Sequence, residues 1–149
     1  MPSPPVAGLT DVCLLVEDMD RSVAFYRDRL GFAVKRLDTG FAEFFTDGVV
    51  LALWLRSDIA AYVPGLSATG GPSSVMVAVR LPDVASVDAE YVRLSAAGVA
   101  FYGPPKAWPW NAYAAYFTDP DGHLWELYHW MGPPRVIDGS PAGGADGAG

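Results

Sequence analysis

Alternation is the strongest periodicity in this chain. The run "VCLLVE" at 12–17 concentrates β-branched and aliphatic residues. Taken every second position, the segment splits into an aliphatic set, Val12, Leu14 and Val16, and a mixed set, Asp11, Cys13, Leu15 and Glu17. A strand with one buried face produces that split. The next stretch, "DMDRSVAFYRDRLGF", changes period. Val23, Phe25 or Tyr26, and Leu30 recur at helical spacing, with Asp near the start and Gly31 at the stop. "AVKRLDT", "FAEFFT" and "VVLALWLR" then read as three antiparallel strands, divided at Thr39-Gly40 and Asp47-Gly48. The Asp-Gly pair is a strong hairpin signal.

After the linker "GLSATGGPS" the order restarts. "SVMVAVRL" reads as a strand, "DVASVDAEYVRLSAAG" as a helix, and "VAFYGPP" as a strand. "AYAAYFT" and "HLWELYHW" follow as two more, joined through Asp-Pro-Asp-Gly. The pattern predicts an α+β fold of two βαβββ modules, at about 9–57 and 73–131, within a domain covering 8–131. One helix covers only one face of a four-stranded sheet, so the uncovered faces are expected to curve around a shared ligand cleft. The Pro-rich start at 1–7 and the Gly/Ala/Pro-rich tail at 132–149 bury too little surface to offset chain entropy. Both are expected to lie outside the fold.

Composition narrows the chemistry. The 149 residues are 51% hydrophobic and 13% aromatic, enough for a real core. A net charge of −7 with no Lys/Arg run argues against nucleic acid as a partner and would attract cationic ligands. No stretch reaches the roughly 18 apolar residues of a membrane span. The N-terminus "MPSPPVAGLTD" lacks the basic start and apolar core of a signal peptide, so a cytoplasmic protein without membrane contact is expected. The single cysteine, Cys13, leaves no internal disulfide or cysteine-based zinc cluster and reads as a buried, inert thiol.

The mixed strand faces carry the candidate site. They are Asp11 with Cys13; Val50, Ala52, Trp54 and Arg56; Ser74, Met76, Ala78 and Arg80; and Leu124, Glu126, Tyr128 and Trp130. "KAWPWNAYAAYF" adds Trp108, Trp110 and Tyr113. The expected ligand-binding residues are Trp54, Trp108, Trp110, Tyr113, Met76, Tyr128, Glu126, Asp11, Ser74 and Arg56. Small residues beside aromatics and a few charges suit an apolar pocket with polar attachment points. Each aromatic plane adds about 1 kcal/mol when it stacks on a flat ligand. The simpler alternative is that "WPW" only packs a loop. No Gly-rich phosphate loop or nucleophile elbow is present, and "DPDGH" reads as a tight turn.

The phrases "DVCLLVEDMDRSVAFYRDRLGF" and "WPWNAYAAYFTDPDGHLWEL" resemble the vicinal oxygen chelate superfamily, which includes glyoxalase I, extradiol dioxygenases, fosfomycin resistance enzymes and bleomycin resistance proteins. The resemblance covers roughly 9–130 and implies paired βαβββ modules in a homodimer. It also implies that the metal ligands of its metalloenzymes correspond here to Asp11, Ala52, Ser74 and Glu126. Alanine offers no donor and a neutral serine hydroxyl binds weakly, so no metal, other cofactor or catalytic residue is expected. Glu126 is left as a hydrogen-bonded support or a ligand contact. In this respect the chain is similar to the metal-free antibiotic-binding members. That likeness implies sequestration of a planar aromatic natural product such as a bleomycin, a mitomycin or a peptide antibiotic with a planar chromophore, for resistance or self-protection. Lysine is confined to Lys35 and Lys106 amid abundant Ala, Gly, Val, Pro and Arg, which fits a high-GC bacterial genome. The alternative is an enzyme of the same superfamily, a dioxygenase, lyase or isomerase, using a different metal set or Glu126 or Asp11 as base.

Overall fold

Two sheets with the same strand order organise the chain in this computed structural model, which describes residues 8–71 and 75–134. The first contains β1 (Asp11–Val16), β2 (Val34–Leu37), β3 (Phe41–Phe44) and β4 (Val50–Leu55), ordered β1-β4-β3-β2. β1 runs parallel to β4, and β4, β3 and β2 are antiparallel neighbours. The helix α1 (Met19–Val23) follows β1, and a short α2 (Arg56–Ala60) follows β4. The second sheet repeats the plan as β5 (Met76–Arg80), β6 (Lys106–Ala107), β7 (Ala112–Thr118) and β8 (Leu124–Trp130), ordered β5-β8-β7-β6, with α3 (Val84–Ala96) after β5. The βαβββ repeat is therefore present twice.

The compact units cut across the repeats. One runs up to Val75 and also takes in Thr118–Leu124, the turn between β7 and β8. The other holds Met76–Phe117 and the chain from Trp125 onward.

In the first unit the aliphatic parity goes to the core. Leu14, Val16, Leu51 and Leu53 are buried, while Asp11, Cys13 and Glu17 are exposed. Cys13, expected to be buried, thus stands on the mixed face with its parity mates. Asp18 caps α1 by accepting a 2.9 Å hydrogen bond from the Arg21 N–H. After Val23 the helix widens into a π-helical stretch, Ala24–Arg29, in which the Leu30 N–H reaches the Phe25 carbonyl at 3.0 Å. The wider turn brings both Phe25 and Tyr26 inward, where simple helical spacing had left the choice open. Gly31, at φ 87°, ends it. The Tyr26 ring lies 5.7 Å from Phe44, closing the helix onto the sheet.

An aromatic chain fills the second unit. Tyr91 meets Phe101 at 4.8 Å, Phe101 meets Phe117 at 5.2 Å, and Phe117 stacks on Trp125 at 5.9 Å. Val87 and Leu94 of α3 and Val99 after it are buried. Each such side chain contributes about 2 kcal/mol. Asp83 caps α3 through the Ser86 N–H at 2.7 Å.

Three local expectations change. "VAFYGPP" does not form the sixth strand. Phe101 makes only an isolated bridge to Phe117, because Pro104 and Pro105 lack the N–H a ladder needs, and pairing resumes at Lys106–Ala107. The fourth strand stops at Leu55, so Arg56 opens α2 instead of sharing a strand face with Trp54. The ends expected to be unstructured lie outside the described residues at 1–7 and 135–149, but 132–134 is described, and the Pro133 carbonyl accepts from Asn111 Nδ2 at 2.9 Å. Among the described residues no helix is long and apolar enough to cross a membrane.

Candidate functional site

Strand parity on β7 sets the second unit's polar face. Tyr113, Ala115 and Phe117 point one way, and Phe117 joins the aromatic core. Ala112, Ala114 and Tyr116 point the other way. The Tyr116 hydroxyl donates to Oε2 of Glu126 on β8. Glu126 is only 9% exposed. Burial first, and then the hydrogen bond and the charge of Glu126, push the Tyr116 hydroxyl well above its ordinary value, so it stays a donor.

The tryptophans gather around this pair. Trp108 meets the Tyr116 ring edge-on at 5.5 Å and stacks on Trp110 at 5.0 Å with an 18° interplanar angle. Its indole N–H donates to the Ala114 carbonyl at 3.1 Å, and Lys106 Nζ lies 4.1 Å from its ring centroid. The connecting turn is held by Asn111, at φ 73°, whose N–H reaches the Trp108 carbonyl at 3.0 Å. The protein itself therefore occupies Trp108, while Trp110 beside it is half-buried.

Tyr113 is not part of this group. Its hydroxyl donates to Asp88 on α3 at 2.7 Å, on the opposite face of β7. Tyr116, missed in the sequence reading, takes its place. Parity could have found it, because residues three apart on a strand face opposite ways. Tyr128 accepts from Arg80 Nε at 3.3 Å and meets Trp130 edge-on at 5.6 Å. Met76 is exposed on the edge strand β5, and Ser74 lies outside the described residues.

The first unit holds a different row. Ala52 pairs with Cys13 on one side and Glu43 on the other, and Glu43 forms a 3.3 Å ion pair with Lys35. A carboxylate missing at Ala52 thus stands one strand away. Trp54 meets Phe41 edge-on at 5.7 Å, and Arg36 lies 4.5 Å from the Phe41 ring centroid. Asp11 is exposed opposite Val50. Desolvation of the sulfur, then the Asp11 carboxylate, push the Cys13 thiol up to about 11 although the residue as a whole is exposed. It is a thiol at neutral pH.

Arg56 lines a cavity of about 690 Å³ in the first unit, together with Glu17, Arg21 and Asp121. Most of those charges are already engaged. Glu17 accepts from the Gly70 N–H at 2.7 Å, and Asp121 accepts from Arg21 at 3.2 Å, from the Ser22 hydroxyl at 3.0 Å and from the Glu17 N–H at 3.0 Å. The neighbouring Asp119 accepts from the Tyr26 hydroxyl at 2.6 Å and lies 2.7 Å from His123 Nδ1. Burial alone would raise the Asp119 carboxyl, but His123 and Tyr26 outweigh it and hold it below the usual carboxylate range. "DPDGH" is therefore more than a tight turn. It is a buried polar junction whose charges are paired with one another.

The inherited ligand positions do not fit a resident divalent metal. Ala52 has no donor and Ser74 lies outside the described residues, which leaves two carboxylates, Asp11 and Glu126, fewer donors than a resident divalent metal takes. Among the described residues no three His, Cys, Asp or Glu side chains are grouped to hold a metal ion.

The Glyoxalase/Bleomycin resistance protein/Dioxygenase superfamily model matches residues 8–127. The metallothiol transferase FosB of Shouchella clausii is 32% identical over 124 residues, 83% of this chain and 80% of FosB. The uncharacterized protein YraH of Bacillus subtilis is 31% identical over 126 residues, 80% of this chain and 96% of YraH. Among solved structures, a glyoxalase/bleomycin resistance protein/dioxygenase from Nocardioides is 40% identical with a TM-score of 0.81, covering 92% of each chain. A glyoxalase-related enzyme from Fulvimarina pelagi is 27% identical with a TM-score of 0.74, covering 89% of this chain and 99% of its own.

Proposed function

This chain belongs to the Glyoxalase/Bleomycin resistance protein/Dioxygenase superfamily, and from that premise we propose that it binds a planar aromatic small molecule without a resident metal and releases it unchanged. One observation carries the reading. The carboxylate at an inherited ligand position, Glu126, is buried and held by the Tyr116 hydroxyl inside an aromatic cluster, while its counterpart in the first repeat is Ala52. Trp110 offers the stacking plane, and Trp54 with Phe41 offers a second aromatic surface. Sequestration of a natural product or antibiotic by a cytoplasmic homodimer, in resistance or self-protection, extends this reading along the family resemblance.

The test is a titration with planar aromatic compounds followed by tryptophan fluorescence, with mass spectrometry of the recovered ligand. Binding is expected to quench the signal and return the compound intact. Trp110→Ala should weaken it by about 2 kcal/mol, roughly thirtyfold. Wild-type affinity in both Trp110→Ala and Trp54→Ala sinks the stacking model. The sequence likeness to a metallothiol transferase supports a second reading, an enzyme of the same superfamily. Metal retained through dialysis against chelator, together with metal-dependent conversion of the ligand, would select it.

A further inference from the structure

Glu126 has a second oxygen. Oε2 takes the Tyr116 hydroxyl proton, whereas among the described residues no hydrogen bond reaches Oε1. Among the described residues every side-chain nitrogen or oxygen sealed from solvent has a partner, so Oε1 keeps some contact with solvent. The residue is nevertheless only 9% exposed. None of the ion pairs among the described residues involves it. Two cations bordering the cluster are held on aromatic rings, Lys106 on Trp108 and Arg80 on Tyr128. A carboxylate this deep without a counter-charge is unfavourable, and buried charges are normally paired.

We propose that Glu126 Oε1 is the docking point for a cationic nitrogen, and that the ligands of this face are planar aromatic amines protonated at neutral pH. The proposal rests on the binding reading above and names its ligand class. Tyr116 holds the carboxylate by one oxygen, which leaves the other oriented for a charge-assisted hydrogen bond. Trp110 supplies the plane. The net charge of −7 draws cations toward the protein at long range but cannot select among them. Glu126 does the selecting, because a neutral ring of the same shape gains the stacking contact alone.

Calorimetry with proflavine, a planar cation at neutral pH, and acridine, its neutral relative, tests this in the full chain. The wild type is expected to bind proflavine roughly ten- to a hundredfold more tightly than acridine, the range for a hydrogen bond to a charged group. Glu126→Gln should erase that preference and leave acridine binding as it was. Trp110→Ala should weaken both compounds alike. Thermal melting checks that each variant folds. Should Glu126→Gln unfold, Tyr116→Phe decides, since loss of the orienting hydroxyl should loosen proflavine several-fold and leave acridine unmoved. Equal affinity of the two compounds in the wild type, a preference that survives in the folded Glu126→Gln protein, or an undiminished preference in folded Tyr116→Phe overturns the cation site while the stacking reading stands. Failure of both compounds to bind the wild type sinks the binding reading itself.

Discussion

Residues 46–56 and 118–130 begin with the same Thr-Asp turn and run into the same kind of Leu/Trp strand, yet they do different work. The first turn closes on itself. The Thr46 hydroxyl donates to the Val49 carbonyl at 2.7 Å, Gly48 takes φ 84°, and Asp47 is exposed. The second turn reaches across the first unit, with Asp119 on Tyr26 and His123, and Asp121 on Glu17, Arg21 and Ser22. The strands diverge in the same way. In the first, the carboxylate beside Ala52 is Glu43, neutralised by Lys35. In the second, Glu126 meets only a phenol among the described residues. Copies of one unit stay alike where they need only a turn and a strand, and differ where a buried polar group must find a partner.

The sharpest break of this comparison is at the turns. Asp119→Ala leaves the Tyr26 hydroxyl buried without its acceptor and should cost about 3 kcal/mol, whereas Asp47→Ala should stay within about 0.5 kcal/mol. Urea denaturation of the two variants measures both, and equal losses would mean the turns are equivalent after all. Restoring the missing carboxylate comes next. Ala52 is 2% exposed, so Ala52→Glu places a charge in a closed row next to Glu43 and should cost about 2 kcal/mol. Part of that loss should return when Glu43→Gln is added, and an unchanged melting temperature in Ala52→Glu would show a row with room for two acids. A smaller effect separates the two tyrosines of β7. Tyr116→Phe removes the donor to Glu126 and should cost about 1 kcal/mol, against about 0.5 kcal/mol or less for Tyr113→Phe, whose bond to Asp88 is exposed.

The gentlest perturbation is acid. Asp119 titrates lower in the folded chain than in the unfolded one, so between those values the unfolded state binds more protons and stability rises with pH. The contribution is complete above the ordinary carboxylate value and disappears as pH falls below about 4 through the lowered folded value. Asp119→Asn should therefore lose less stability than the wild type between neutral pH and strong acid. Parallel curves for the two proteins would mean that Asp119 is not the titrating group.

Much of the fold was legible because its causes are local. The Asp expected near the start of the first helix, which is the cap at Asp18, the stop at Gly31 with φ 87°, and the burial of the aliphatic set on β1 stand where the pattern put them. The site was only partly legible. Trp108, Trp110 and Glu126 do come together, but through Tyr116, and Tyr113 and Arg56 fall elsewhere. The π-helical stretch that buries both Phe25 and Tyr26 has no simple periodic signature, because it is the wider turn itself that resets the period.

By itself, then, the sequence determined that two βαβββ repeats exist, which parity of each strand is aliphatic, and that donors are missing at Ala52. Those properties follow from backbone geometry over a few residues and from residue identity alone. Only the tertiary structure decided which polar groups meet. Tyr26 and Asp119 are 93 residues apart and Glu17 and Asp121 are 104 apart, distances over which no local pattern carries information. The partners of a buried carboxylate are set by whichever side chains packing brings within hydrogen-bond reach. Packing supplied Asp119 with a phenol and an imidazole, and among the described residues gave Glu126 a single phenol on one oxygen.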